Sequence, residues 1–331
     1  MSLAAAGHPL HTRSLSVTLR EGADGAVEFA AYVLDLRKRG FAPVGGDLQG
    51  TGIIHHMRLD GALDRAAGHI VRIDAQMPTV AFEASAASAG ESCRDHIGRV
   101  AQLAGLGLDD GAAKRLGAEI GGPRGCSHIL TLAQLVVPSA RWGLGEDARL
   151  HGSAPARRHG ERLFRRDVTV DGYETEPGEI VLTLQLNDLH LAPAPALARP
   201  MDRLGAQREI TARAALNMRE LSLRDLIVGE RVRTPATLSD APWLDRSADV
   251  ANLAGASLRA GISARILATL PASPLRDALL QLAPAMIQCF AALDFWTMFP
   301  DGGAAAATGG QPDSCLMWRR EGALGRERVR P

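Results

Sequence analysis

At 331 residues, with 46% apolar residues and 37 basic against 37 acidic side chains, the chain has room for two ordinary domains and no charge excess to draw it to nucleic acid or an acidic membrane. No stretch approaches the eighteen or so uninterrupted apolar residues of a membrane helix, and MSLAAAGHPLHTR lacks the basic and apolar regions of a secretory leader, so a soluble, cytoplasmic chain is expected. Cys93, Cys126, Cys289 and Cys315 are too few and too scattered for a disulfide scaffold and are expected as free thiols or metal ligands.

In chain order, period-two alternation predicts strands over Leu15–Leu19, Val27–Arg37, Ile53–Asp60 and Ile70–Met77. Helical periodicity follows over Arg94–Ala104, Asp110–Ile120 and Ser127–Val137. A connector, HGSAPARRHG (His151–Gly160), divides the chain near its middle, and LAPAPALARP (Leu191–Pro200) and DGGAAAATGGQP (Asp301–Pro312) read as further connectors. Beyond the first connector the same order returns: strands over Asp167–Val170, Glu179–His190, Ile210–Leu216 and Asp225–Val232, then helices over Ser247–Leu253, Ala260–Leu270 and Pro274–Ala291. A shift of 150 positions superposes, without a gap, identical residues such as Val100 and Val250, Leu103 and Leu253, Gly105 and Gly255, Leu108 and Leu258, Arg115 and Arg265, and Leu132 and Leu282. Duplication accounts for this better than convergent helix composition. The expected fold class is α+β: two tandem, diverged copies of a module in which an antiparallel sheet is followed by helices. The first module covers 10–150, the second 160–300, and a strand-like island lies at 313–325.

Within the first module, GGPRGCSHILTL (Gly121–Leu132) reads as a glycine-rich turn running into a helix, with Cys126, Ser127 and His128 at its N-terminus. Unpaired N–H groups and the positive end of the helix dipole would make Cys126 easier to ionise there, the form a metal or an electrophile needs. Cys126 as a small core residue with Ser127 as a helix cap is the equally weighted alternative. In IIHHMRLD, alternation puts His55 on the inner face with Ile53, Met57 and Leu59, where its ring needs a partner. A metal, a carboxylate, a substrate hydroxyl or simply a backbone carbonyl could supply one. Together His55, Cys93, Cys126 and His128 form a ligand set for a divalent metal, zinc or iron, although the spacing matches no finger or ribbon.

The second copy has Arg276 and Ala278 where the first has Cys126 and His128, so it is expected to be degenerate. Its own candidates are Asp188 and His190, which continue the inner face of Leu182, Leu184 and Leu186; they read either as a base with its orienting partner or as the end of the strand. There is no phosphate-binding glycine loop, G-x-S-x-G elbow or H-E-x-x-H, which counts against nucleotide-driven and serine-hydrolase chemistry.

HTRSL near the N-terminus, IHHM at Ile54–Met57, the single Cys93, GGPRGCSHIL at Gly121–Leu130, and DSC with a following tryptophan resemble a bacterial family known only as a domain of unknown function, of the DUF 2889 type. The resemblance covers roughly Leu10–Trp142 and the last island. Ser127 stands where that family has threonine, and His56 stands where it has aspartate, which removes a carboxylate. The resemblance implies a companion of aromatic-compound breakdown: a lyase on a small lignin-derived aromatic, losing formaldehyde in a retro-aldol-type step, with His55, Cys93, Cys126 and His128 as functional positions. A fainter similarity to iron–sulfur scaffolds implies the alternative of a non-catalytic metal or cluster carrier. A structural subunit, in a homo-oligomer or hetero-complex, is the third expectation.

Overall fold

The computed structural model describes residues 6–23, 25–40, 42–44, 47–152, 156–176, 179–193, 199–217, 222–258, 261–290, 292–293 and 312–328. Alternation over long runs is what makes the sheet: in β2 (Ala26–Arg37) Val27, Phe29, Ala31 and Val33 are buried and the residues between them are not. Its neighbours are β1 (His8–Glu21), β5 (Gly52–Asp64) and β6 (His69–Thr79), with a separate hairpin of β3 (Ala42–Val44) and β4 (Asp47–Gln49). After the midpoint come β7 (Arg162–Glu176), β8 (Glu179–Leu191), β9 (Leu204–Asn217), β10 (Ser222–Arg233) and the short β11 (Leu244–Asp245). These make one nine-stranded antiparallel sheet in the order β11-β10-β9-β8-β7-β1-β2-β5-β6. The halves of the chain therefore share a single sheet, joined where β1 and β7 run antiparallel with Leu15 opposite Val168.

The helices form a layer on one face. They are α1 (Ala112–Ile120), α2 (Ser127–His151), α3 (Ile262–Thr269), α4 (Pro274–Leu279), α5 (Leu282–Phe290) and α6 (Ala323–Arg328). Helix α2 packs across β1, β2, β5, β7 and β8, and α5 across β7, β1, β2 and β8, so elements from both halves meet over the central seam. Gly143 permits that approach: a Cβ there would lie 2.8 Å from the Phe164 ring and 2.9 Å from Leu19.

The halves correspond in detail. Each strand block is followed by a seven-residue 3-10 helix, Ile97–Leu103 and Ser247–Leu253, and each C-cap, Ala104 or Ala254, is followed by a glycine with positive φ, Gly105 or Gly255. Gly105 N–H donates to Ile70 O at 2.7 Å, and Gly255 N–H donates to Leu223 O at the same distance. The α-helix expected over 94–104 is instead this 3-10 turn, whose buried residues, Val100 and Leu103, repeat every three positions.

Three further expectations change. Helix α2 does not stop before Pro138 but runs through it to His151, into the first connector. The helix expected over 274–291 is two, because Pro284 has no N–H to give and is tolerated only in the first turn of α5. The C-terminal island contains no strand; it is turns followed by α6, docked through Leu316 N–H on Gly125 O at 2.8 Å and Trp318 edge-on to Phe82. Most of the Asp301–Pro312 connector and the middles of the other two lie outside the described residues. Among the described residues no helix is long and apolar enough to cross a membrane.

Candidate functional site

On β1 and β2 the inward register that starts as apolar becomes charged toward one end. Inward residues continue from Leu15 to Arg13 and His11, and from Val33 to Asp35 and Arg37, all buried. Cross-strand pairing sets Arg13 opposite Asp35 and His11 opposite Arg37. On the other side β5 places His55 opposite Asp35, next to a register shift. That irregularity turns Ile54 and His55 inward together and leaves Ile53, expected inside, 50% exposed.

The last side chain arrives from the start of α2. Gly125 brings the chain so close to the end of α1 that a Cβ would fall 1.9 Å from Ile120 O. Cys126 is the N-cap and His128 follows within the first turn. His55 Nδ1 and His128 Nε2 each lie 3.3 Å from Asp35 Oδ2, His11 Nε2 lies 3.4 Å from Oδ1, and Arg13 Nη1 donates to both oxygens at 3.0 and 3.1 Å. The His55 and His128 rings are 3.8 Å apart at their centres. From the second half, Gln288 on α5 brings its Nε2 to 3.2 Å from His128 Nε2.

Burial would raise the Asp35 carboxyl, but the Arg13 guanidinium, with His55 and His128 beside it, holds it well below the usual carboxylate range. Burial, reinforced by His55, pushes His128 well below its ordinary value, and burial with Arg13 nearby pushes His11 down to about 4. Both are therefore neutral imidazoles near pH 7, the form that accepts a proton or binds a metal.

The thiols behave differently from expectation. The N–H groups of His128 and Ile129 do favour the Cys126 thiolate, yet burial outweighs them and the thiol is pushed up to about 12. Its sulfur rests 3.8 Å from Met57 Sδ and 3.8 Å from His128 Nδ1. Cys93 is likewise raised by burial. Among the described residues, the metal-capable group is Asp35, His55 and His128, with ligand atoms all within 4.8 Å of one another; neither cysteine belongs to it.

Asp188 and His190 stand in the other half of the sheet. Strands β7 and β1 lie between their strand and β2, and the registers set Asp188 level with Ala31 and His190 level with Phe29, so neither reaches Asp35. Both Asp188 oxygens receive Arg166, at 2.7 Å each, and Arg166 Nη1 donates to Asp277 Oδ2 at 2.7 Å. His190 packs on the Phe164 ring with its Nδ1 unpaired, and burial lowers it to about 4. Arg166 opposite Asp188 repeats the pairing of Arg13 opposite Asp35, but Phe164, His190 and Arg208 occupy the places of His11, Arg37 and His55.

The expected residues thus divide: His55, Cys126 and His128 converge, Cys93 is adjacent without contributing a ligand, and Asp188 and His190 are remote. His11, Arg13, Asp35, Arg37 and Gln288 were not anticipated. The sign for Asp35 was a carboxylate in phase with Val33, the same sign that singles out Asp188; Gln288 has no sequence sign at all.

The architecture defines an α+β chain with a buried carboxylate between two imidazoles. Residues 11–141, which supply every element of that cluster except α5, match a family described as a protein of unknown function (DUF2889). No curated protein and no solved structure is significantly similar to the chain.

Proposed function

We propose that the protein is a cytoplasmic carbon–carbon lyase that acts on a small lignin-derived aromatic and releases formaldehyde in a retro-aldol-type step at the Asp35, His55 and His128 group. The observation that carries this reading is the convergence of two imidazole nitrogens on one carboxylate oxygen, each at 3.3 Å. A neutral imidazole there can take the proton of a hydroxymethyl group. As the carbon–carbon bond breaks, its electrons pass to a neighbouring carbonyl as an enolate, formaldehyde leaves, and the imidazolium returns the proton to carbon. Arg13 and the Cys126 S–H, beside His128, supply fixed positive charge and a donor near the developing anion.

The same three residues suit a divalent metal, zinc or iron. A tetrahedral ion with ligand bonds of about 2.0–2.1 Å separates its ligands by roughly 3.3–3.4 Å, which matches the spacings at Asp35 Oδ2. His55 Nδ1 is moreover buried with no aligned hydrogen bond. Such an ion would polarise the substrate oxygen. This also favours a second reading, a metal carrier without turnover.

The correspondences between the halves support descent from one tandemly duplicated module whose second copy has exchanged its site for the Arg166, Asp188 and Asp277 brace. Incubation with lignin-type aromatic dimers bearing a hydroxymethyl group, with formaldehyde as the readout, tests the lyase. Folded His55→Ala and Cys126→Ala variants that kept full turnover would end that reading. Metal retained without formaldehyde from any such dimer would leave the carrier.

A further inference from the structure

Beside the cluster lies a charge that nothing among the described residues neutralises. Arg37 is 3% exposed, its Nη1 donates only to the main-chain Gln49 O at 2.7 Å, and its Nε is buried with no partner. No carboxylate among the described residues pairs with it, and burial alone is what lowers its ordinarily high pKa. A buried guanidinium without a counter-ion is strongly disfavoured, so its retention calls for an anion from outside.

A cleft adjoins it, walled in part by its hydrogen-bond partner and not by Arg37 itself. A surface cleft of about 350 Å³ is lined by Gln49, Ile54, Val80, Phe82, Ser85 and Leu324, among others. Gln49, which receives the Arg37 hydrogen bond, forms part of its wall, and Gly52, opposite Arg37 across the β2–β5 pair, is flanked in sequence by further lining residues, Thr51 and Ile53. Along β2, Arg37 and Asp35 face the same way two residues apart, roughly 7 Å, about the reach of one substituted aromatic ring.

The geometry points to a binding site for a small aromatic carboxylate, its ring in this cleft against Phe82 and Ile54, its carboxylate on Arg37, and its far substituent directed to the Asp35, His55 and His128 group. This rests on the reading of that group as the reactive centre and adds the class of molecule it takes. Arg37 serves as the anion receptor: its fork matches a carboxylate bidentately, which a lysine would not reproduce.

The test is calorimetric titration of the full chain with 4-hydroxybenzoate and with its neutral counterpart 4-(hydroxymethyl)phenol. The expected result is a carboxylate at least about tenfold tighter than the alcohol, equivalent to about 1.4 kcal/mol, and loss of that preference in Arg37→Met with the alcohol unaffected. Equal affinities, no carboxylate binding at millimolar concentration, or a preference that survives in Arg37→Met would overturn the proposal. Should Arg37→Met fail to fold, Ile54→Trp, which fills the cleft, must abolish carboxylate binding; undiminished binding refutes the site. Because binding is read without turnover, a failed lyase reading leaves a positive titration standing, and the reverse.

Discussion

Acid should unfold this protein at a pH above that at which carboxylates ordinarily titrate. His11 and His190 are nearly inaccessible and burial lowers both from 6.5 to about 4. An unfolded chain takes up these protons near pH 6.5, whereas the folded chain takes them up only near 4. Stability from both groups is therefore complete above 6.5 and is lost as pH falls toward 4. Each contributes a slope of about 1.4 kcal/mol per pH unit, so the interval removes roughly 3 kcal/mol per histidine and 6–7 kcal/mol for the pair. His128 and His96, both lowered chiefly by burial, steepen the fall. Against a typical total of about 5–15 kcal/mol, this is enough to reach the unfolding midpoint between about pH 4 and 5. Urea denaturation followed by circular dichroism at several pH values from about 7.5 to 4.5 measures the slope. His190→Phe keeps an aromatic ring against Phe164 and should flatten the slope by about 1.4 kcal/mol per pH unit. A wild-type stability that stays constant over that range, or a slope unchanged by His190→Phe, would refute the burial argument.

Arg166→Met strands two buried carboxylates and should lower the unfolding free energy by about 3–5 kcal/mol, while the further changes Asp188→Leu and Asp277→Leu should restore most of it, read as urea midpoints. Cys126, at about 12, exposes on the order of one thiolate in ten thousand at pH 8, so the native protein should resist alkylation there for as long as it stays folded; rapid modification located by mass spectrometry would contradict the burial. Zinc added to chelator-treated protein at about a hundred times its Kd should add about 2.7 kcal/mol of stability and a matching rise in Tm, and His128→Ala should remove the effect; an equal rise in the variant would place the ion elsewhere.

Strand existence was legible because the pleat writes itself into alternation: every strand expected in the two halves lies within an observed one, and only the island at 313–325, expected to be strand-like, holds none. Strand length was not: β1 begins at His8 rather than Leu15, because its inward positions there are His11 and Arg13, which read as polar though both are buried. The same masking hid the site. Period-two reading found His55 because Met57 and Leu59 flank it, but it passed over Asp35 and Arg37 within the strand Val27–Arg37, since a pattern rule cannot know that a cross-strand Arg13 makes a buried aspartate tolerable. Cys126 was placed correctly at a helix start, and of its two readings the easily ionised thiol gives way to the small core residue, because a sequence shows the dipole and not the depth. Gln288 was out of reach, as its meeting with His128 depends on α5 crossing the seam between the halves.

The contrast between the two buried Arg–Asp pairs bears on what the first site accepts. Around Arg166 one guanidinium meets two carboxylates, and Asp277 responds with a carboxyl that burial raises. Around Asp35 the balance is reversed: two guanidiniums, Arg13 paired with it and Arg37 unpaired two residues along β2, stand against one carboxylate among neutral His11 and His128. The first site is thus one negative charge short. A divalent ion held by Asp35, His55 and His128 would enlarge that deficit, so ion and anionic ligand should bind with mutual assistance and not independently. Zinc affinity measured with and without 4-hydroxybenzoate should rise by the same factor as the affinity for the carboxylate measured with and without zinc, a reciprocity that linkage requires if both occupy this site. Additive affinities would mean that Arg37 and the imidazoles do not serve one pocket.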